Sequence, residues 1–192
     1  MTINSNSIKN KDDIEIIKLC LMSMSRNDFI CNRHVLYFIL GINTCLKPKE
    51  LLALEWITLL NDNYTIKNFI NYNGYKFYLN TSCKQAILSF INKFDNHTKY
   101  KYVFGDNKPI TIQAINILYG KIEKELALDY NFSALSLHKT FVYWQIANAH
   151  FDYNKMSKLK NLLYINEKNK SINIYSEYNI NDDIIYINDV NL

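Results

Sequence analysis

Glycine and proline are scarce, four and two among 192 residues. Helices therefore have few breakers inside them. Gly41, Gly74, Gly105 and Gly120 stand far apart, which excludes Walker-type and dinucleotide-type phosphate loops, since both need clustered glycines. Arginine is scarcer still. Only Arg26 and Arg33 occur among 22 basic residues, and the remaining lysines cannot make the planar two-pronged grip on a phosphate. Cys20, Cys31, Cys45 and Cys83 form no C-x-x-C pair, and His34, His97, His138 and His150 add no ligand-like spacing. No metal site and no cofactor are expected. Residues 1–11 lack the apolar centre of a signal peptide, and the longest apolar run, residues 35–40, is far too short to span a bilayer. The expectation is a cytoplasmic protein with reduced thiols and no membrane contact.

What is present is globular in character. Hydrophobic residues make up 48% and charged residues 21%, enough for one domain with a sizeable core. The net charge of +4 is mildly basic. Asn, Ile, Lys and Tyr are abundant in the manner of an AT-rich genome, so single Asn and Lys positions carry little weight.

Hydrophobic periodicity places the elements. Asp12 and Asp13 stand where acids favour a helix start, followed by Ile14, Ile17 and Leu21 at helical spacing. Asn27 or Asp28 can cap a second, strongly apolar helix through Phe29, Val35, Leu36, Phe38, Ile39 and Leu40, expected to be central core. Pro48 at a first turn starts a short third helix reaching Trp56, with Leu51, Leu52 and Leu54 inward. Strand formers over residues 64–70 and 75–79 flank Asn73-Gly74, a hairpin signal. Thr81 or Ser82 caps a helix through Ala86, Ile87, Phe90, Ile91 and Phe94, and Tyr102-Val103-Phe104 reads as a short strand. A long helix from Thr111 uses Ala114, Ile115, Leu118, Ile122 and Leu126. Ser133 is placed to cap another through Leu137, Phe141, Trp144 and Ile146, and Met156, Leu159, Leu162 and Leu163 supply one more. Residues 172–192 are read as a terminal helix docking on its own body or on a neighbour. The fold class is mainly α with a small antiparallel β-sheet.

Particular strings then meet this order of elements. Leu40-Gly41-Ile42-Asn43-Thr44-Cys45-Leu46-Lys47-Pro48-Lys49-Glu50-Leu51-Leu52-Ala53-Leu54 resembles the first signature of the tyrosine recombinases, or phage integrases, usually written T-G-L-R-x-x-E-L-L-x-L. Ala134-Leu135-Ser136-Leu137-His138-Lys139-Thr140-Phe141 is similar to that family's H-x-L-R-K-T-F helix. Tyr102-Val103-Phe104 followed by Pro109-Ile110-Thr111 resembles the strand and loop before it. The resemblance covers residues 27–192 and implies an integrase catalytic core, with residues 1–26 a polar lead and part of a first helix. The family commonly carries a separate helical DNA clamp ahead of this core. Only 26 residues precede the matching region here, so a weaker hold on DNA is expected.

The departures decide the expected chemistry. In this family two arginines grip the scissile phosphate, a hairpin lysine and a histidine move protons, and a tyrosine attacks phosphorus to form a covalent DNA link. Carried over by position, the first arginine falls on Lys47, the second on His138, and the signature histidine on Leu135. The later histidine or tryptophan falls on Ile165 or Asn166. The hairpin lysine is missing from Ile70-Asn71-Tyr72, with Lys76 on the partner strand as a substitute, and the nucleophile aligns with Tyr175, with Tyr178 as a second candidate. Lys47 keeps a charge without the fork, His138 is half charged at best near neutral pH, and Leu135 transfers no proton. One lost charge-assisted contact to a phosphoryl transition state raises the barrier by about 2 to 4 kcal/mol, so several together should make cleavage negligible.

Two readings follow. The first is a regulatory or accessory DNA-binding protein of a phage or plasmid, holding double-stranded DNA through Lys47, Lys49, Lys139, Lys168 and Lys170. The second is a working integrase or strand transferase that uses Tyr175 with Lys47, Lys76 and His138. Self-association through the segment from Ile172 is a further expectation. Trp144 and Phe141 are assigned to core packing, and His34, His97 and His150 to the surface or to satisfied core positions.

Overall fold

The computed structural model describes residues 5–72, 75–94, 99–148 and 184–185. Its centre is set by a helix with almost no polar face. In α2 (Asp28–Asn43) every residue from Val35 onward is buried. A helix apolar all round must be enclosed by others, and α1 (Lys11–Ser23), α5 (Thr81–Lys93) and α7 (Ala134–Asn148) pack around it. α1 contributes Ile14, Ile17 and Leu21, α5 contributes Cys83, Ile87 and Phe90, and α7 contributes Leu137 and Phe141. α6 (Ile112–Glu125) closes the core with Ile115, Tyr119 and Ile122. These side chains form one continuous cluster.

Side-chain caps fix the helix starts, because the first backbone N–H groups of a helix have no partner within it. Asn10 accepts from the Asp12 N–H, Asn27 from the Ile30 N–H, and Thr111 from the Ala114 N–H. For α5 the cap is Asn80, accepting from the Cys83 N–H at 3.0 Å, and not Thr81 or Ser82 as the sequence suggested. For α7 the expected role of Ser133 is reversed. Its N–H donates to the Ser136 hydroxyl at 3.0 Å, the reciprocal half of a capping box, while its own hydroxyl pairs with that of Ser5 at 2.6 Å.

Three further expectations are corrected. The helix expected to run from Pro48 to Trp56 is two pieces, α3 (Pro48–Leu52) and α4 (Trp56–Leu59). Glu55 between them is extended and bridges Tyr102, so tertiary pairing overrides local helix propensity. Tyr102-Val103-Phe104 is no strand: it makes that isolated bridge, the Val103 N–H donates to the Leu54 carbonyl at 2.9 Å, and the Phe104 carbonyl accepts the Ile110 N–H at 2.7 Å. The first hairpin strand begins at Phe69, not Tyr64. Residues 61–65 instead make a tight turn with Tyr64 at φ 61°, held by the Asn61 side chain donating to the Thr65 hydroxyl and that hydroxyl donating to Asn63.

The sheet pairs β1 (Phe69–Tyr72) antiparallel with β2 (Tyr75–Tyr78), in the register Phe69 with Tyr78 and Ile70 with Phe77. A two-residue strand, β3 (Ile184–Ile185), adds to β2 in parallel. That placement corrects the expected terminal helix at these two residues and docks them on the chain's own body. Met156, Leu159, Leu162 and Leu163 lie outside the described residues. Among the described residues no helix is long and apolar enough to cross a membrane.

At Gly41, α2 has no side chain to hold off Leu137 of α7. A Cβ there would stand 2.4 Å from Leu137 Cδ1 and 2.9 Å from its Cβ, so a larger residue forces the helices apart. Gly41→Ala is expected to destabilise the fold by about 1 to 3 kcal/mol. Gly120→Ala, in α6 with open space around it, is expected to stabilise it by about 0.5 to 1 kcal/mol. Urea unfolding midpoints check both.

Candidate nucleic-acid interface

The link from α2 to α3 brings one of the carried-over positions to the surface. At the end of α2, Thr44 donates its hydroxyl to the Leu40 carbonyl at 2.7 Å and Asn43 donates to the Ile39 carbonyl at 3.1 Å. Asn80 donates to Asn43 at 2.8 Å, tying the link to α5. Thr44, Cys45 and Leu46 are thereby buried, and the chain then emerges at Lys47, which is exposed. Pro48 begins α3 because its missing N–H is an orphan at a helix start in any case. The Glu50 carboxylate reaches back to accept the Lys47 N–H at 2.8 Å.

His138 meets this turn from α7. Its ring lies against the backbone of Cys45 and Leu46 and within electrostatic reach of both Lys47 and Glu50. Its Nδ1 is sealed from solvent without a hydrogen-bond partner among the described residues. The two carbonyls thus favour the charged ring from nearby, without a well-aligned bond to that nitrogen. Burial, with the Lys47 charge second, pushes the His138 pKa down to about 4, against the smaller opposing pull of Glu50 and the backbone. The ring is therefore neutral at neutral pH. That lies within the expected limit of a histidine half charged at best, and it leaves the Lys47 cation beside the Glu50 anion.

The other sequence-derived positions divide. Lys49 is exposed on α3. Leu135 stands on the first turn of α7 with 39% of its surface exposed, an apolar side chain that can neither donate nor accept a proton. Lys139 points elsewhere, its ammonium donating to the Ser5 carbonyl. The backbone of Lys76 lies in β2 opposite Asn71. Tyr175, Tyr178, Lys168, Lys170, Ile165 and Asn166 lie outside the described residues. Lys47 and His138 are thus the pair of carried-over positions that the fold brings together.

Arg33 is also engaged. It pairs with Asp106 at 3.3 Å and lies over the Phe29 ring, 5.3 Å from its centroid. His34, expected at the surface or satisfied in the core, is neither: it is half-buried with an unpartnered Nδ1, and burial pushes its pKa down to about 4. Trp144 packs as expected, its indole N–H donating to the Ile8 carbonyl at 3.0 Å. Cys45 is buried, with its thiol pKa pushed up, and is no nucleophile. Glu50 was not singled out from the sequence as a site residue, although its spacing three residues after Lys47 is that of a capping partner. Among the described residues no group of three His, Cys, Asp or Glu could hold a metal ion.

Comparison of the whole structure settles the architecture. The recombinase XerH bound to its difH substrate in a pre-cleavage complex superposes with a TM-score of 0.63 at 15% identity, over 91% of this chain and 51% of that one. The fold is that of a tyrosine-recombinase catalytic domain. A post-cleavage complex of XerH on palindromic difH gives 0.63 at 15% identity, over 89% and 50% of the two chains. The Tn1549 transposon integrase with circular-intermediate DNA gives 0.60 at 14% identity, over 90% and 61%. The chain therefore spans about half to three-fifths of the length of these structures. No protein-family model and no curated protein sequence matches it.

The pH dependence of stability tests the geometry of this core directly. His138 and His34 both have folded pKa values below the ordinary 6.5. The unfolded chain then takes up protons that the folded chain refuses, and stability falls as pH drops from 6.5 to 4. His138 alone should contribute a loss on the order of 3 kcal/mol across that window. Unfolding midpoints at successive pH values should show this loss, and His138→Gln should remove its share while leaving that of His34.

Proposed function

We propose that this protein holds double-stranded DNA on a tyrosine-recombinase fold without cutting it, serving as a regulatory or accessory factor of a phage or plasmid in the cytoplasm. The observation that carries this reading is the meeting of Lys47 and His138 in space, at the positions where the family resemblance puts two arginines. A neutral imidazole and the Lys47 ammonium next to Glu50, with Lys49 exposed nearby, can hold a phosphate weakly. They cannot present the preorganised positive field that a pentacoordinate phosphorus requires. Leu135 removes a proton-transfer group as well. The structures it resembles were solved on DNA, which supports a polynucleotide partner. Four free cysteines, three of them buried, suit a reducing compartment.

Binding to a DNA duplex over a salt series tests the proposal. Affinity should fall linearly on a log–log plot, and Lys47→Ala should weaken binding across all sequences and lower the slope by about one. Negligible, salt-independent binding at low ionic strength would sink the reading. So would a covalent adduct trapped on a suicide substrate and abolished by Tyr175→Phe, which is the outcome an active strand transferase requires.

A further inference from the structure

Residues 5–10, ahead of α1, are bonded through Ser5, Asn6 and Ile8 to α7 and to the residues just before it. The Ser5 hydroxyl pairs with Ser133, and the Ser5 carbonyl accepts from Lys139. The Asn6 N–H donates to the Asn131 carbonyl at 3.0 Å, and the Asn6 side chain accepts the Asn131 N–H at 3.3 Å. The Ile8 N–H donates to the Thr140 hydroxyl at 2.8 Å, and the Ile8 carbonyl accepts from Trp144 at 3.0 Å. Ile8 itself is wholly buried. Lys9 and Lys11 then lie over the rings of Tyr143 and Trp144.

This strap lies across the helix from the candidate site. At 3.6 residues per turn, Thr140 stands about 200° around α7 from His138. Leu137 and His138 face Gly41 and the Cys45-Leu46 turn, while Thr140 and Ser133 face the strap. α7 is therefore held between two segments that are remote in sequence. The hydroxyl of Thr140 also donates to the Ser136 carbonyl at 2.7 Å, so the strap bond continues into the helix backbone.

We infer that residues 5–10 form a positioning strap that presses α7 towards the α2–α3 turn and sets the depth at which His138 meets Lys47. Ser5, Ile8, Thr140 and Trp144 are then positioning residues for the phosphate-facing pair, and Lys139 serves the strap. The inference rests on the DNA-binding reading only for its consequence on affinity; its geometric content stands without DNA.

Both parts are tested in the full chain with Thr140→Val, which removes one strap bond while nearly keeping side-chain volume, with Trp144→Phe, which removes another and also trims the ring, and with Thr140→Ser, which keeps the hydroxyl. Hydrogen exchange at the Ile8 amide reports whether the strap has loosened. Proton NMR then follows the His138 ring through an acid titration without DNA. The midpoint, near 4 in the native chain, should rise by about one unit or more as the ring gains water in the Val and Phe variants, and should stay at the native value in Thr140→Ser. An unmoved midpoint in a variant whose Ile8 amide exchanges faster would overturn the inference. In the same variants duplex affinity should fall about five-fold, as expected for roughly 1 kcal/mol. Tighter binding would also overturn it, by making the strap a shield over Lys139. If the native chain binds no duplex, that failure belongs to the proposed function, and the His138 midpoint still decides the strap.

Discussion

The contact between Gly41 of α2 and Leu137 of α7 is the constraint on which the candidate site depends. With no side chain at Gly41, the two helices approach until Leu137 fills the space a Cβ would take. One residue further along α7, His138 is carried onto the Cys45-Leu46 turn where α2 ends. Lys47 and Glu50 enter the same neighbourhood because Thr44 and Asn43 close the end of α2 with their own side chains and Pro48 restarts the helix. A helix–helix distance set by one missing methyl group thus decides which polar groups can face a shared ligand.

Electrostatics follow from that packing. A guanidinium in place of His138 would stay charged at any accessible pH, whereas an imidazole in this half-enclosed position gives up its proton. Lys47 adds to that by disfavouring a second cation, and Glu50 offsets it only in part. Of the two carried-over positions that meet here, Lys47 brings a cation and His138 a neutral ring. Holding and cutting DNA are separable demands: the first grows with each exposed cation, the second needs several charges fixed around one phosphorus.

Most helices were legible from their apolar residues, because α1, α5 and α6 each bury a stripe on a regular repeat and α2 is an apolar run begun at an Asn cap. The first-signature string from Leu40 to Leu54 and the Leu137-His138 pair led to the residues the fold brings together. Legibility failed where tertiary contacts decided. Glu55 left its helix to bridge Tyr102, and Tyr64 adopted a turn that β-propensity does not foresee. The charge state of His138 depends on its enclosure by segments far away in sequence. The bonding of residues 5–10 to α7 was equally hidden, since Ser5, Asn6 and Ile8 carry no periodic pattern and find their partners more than 120 residues later.

The central claim is that a phosphate-bearing partner is met at the junction of the α2–α3 turn with α7. Backbone amide chemical shifts of the labelled chain, followed during titration with a short DNA duplex, test it most directly. The account predicts that the largest perturbations fall on residues 45–51 and 134–139. Perturbations centred instead on the groove between α1 and α5, lined by Met22, Val35, Ile39 and Phe90, or a spectrum unchanged by duplex, would contradict it.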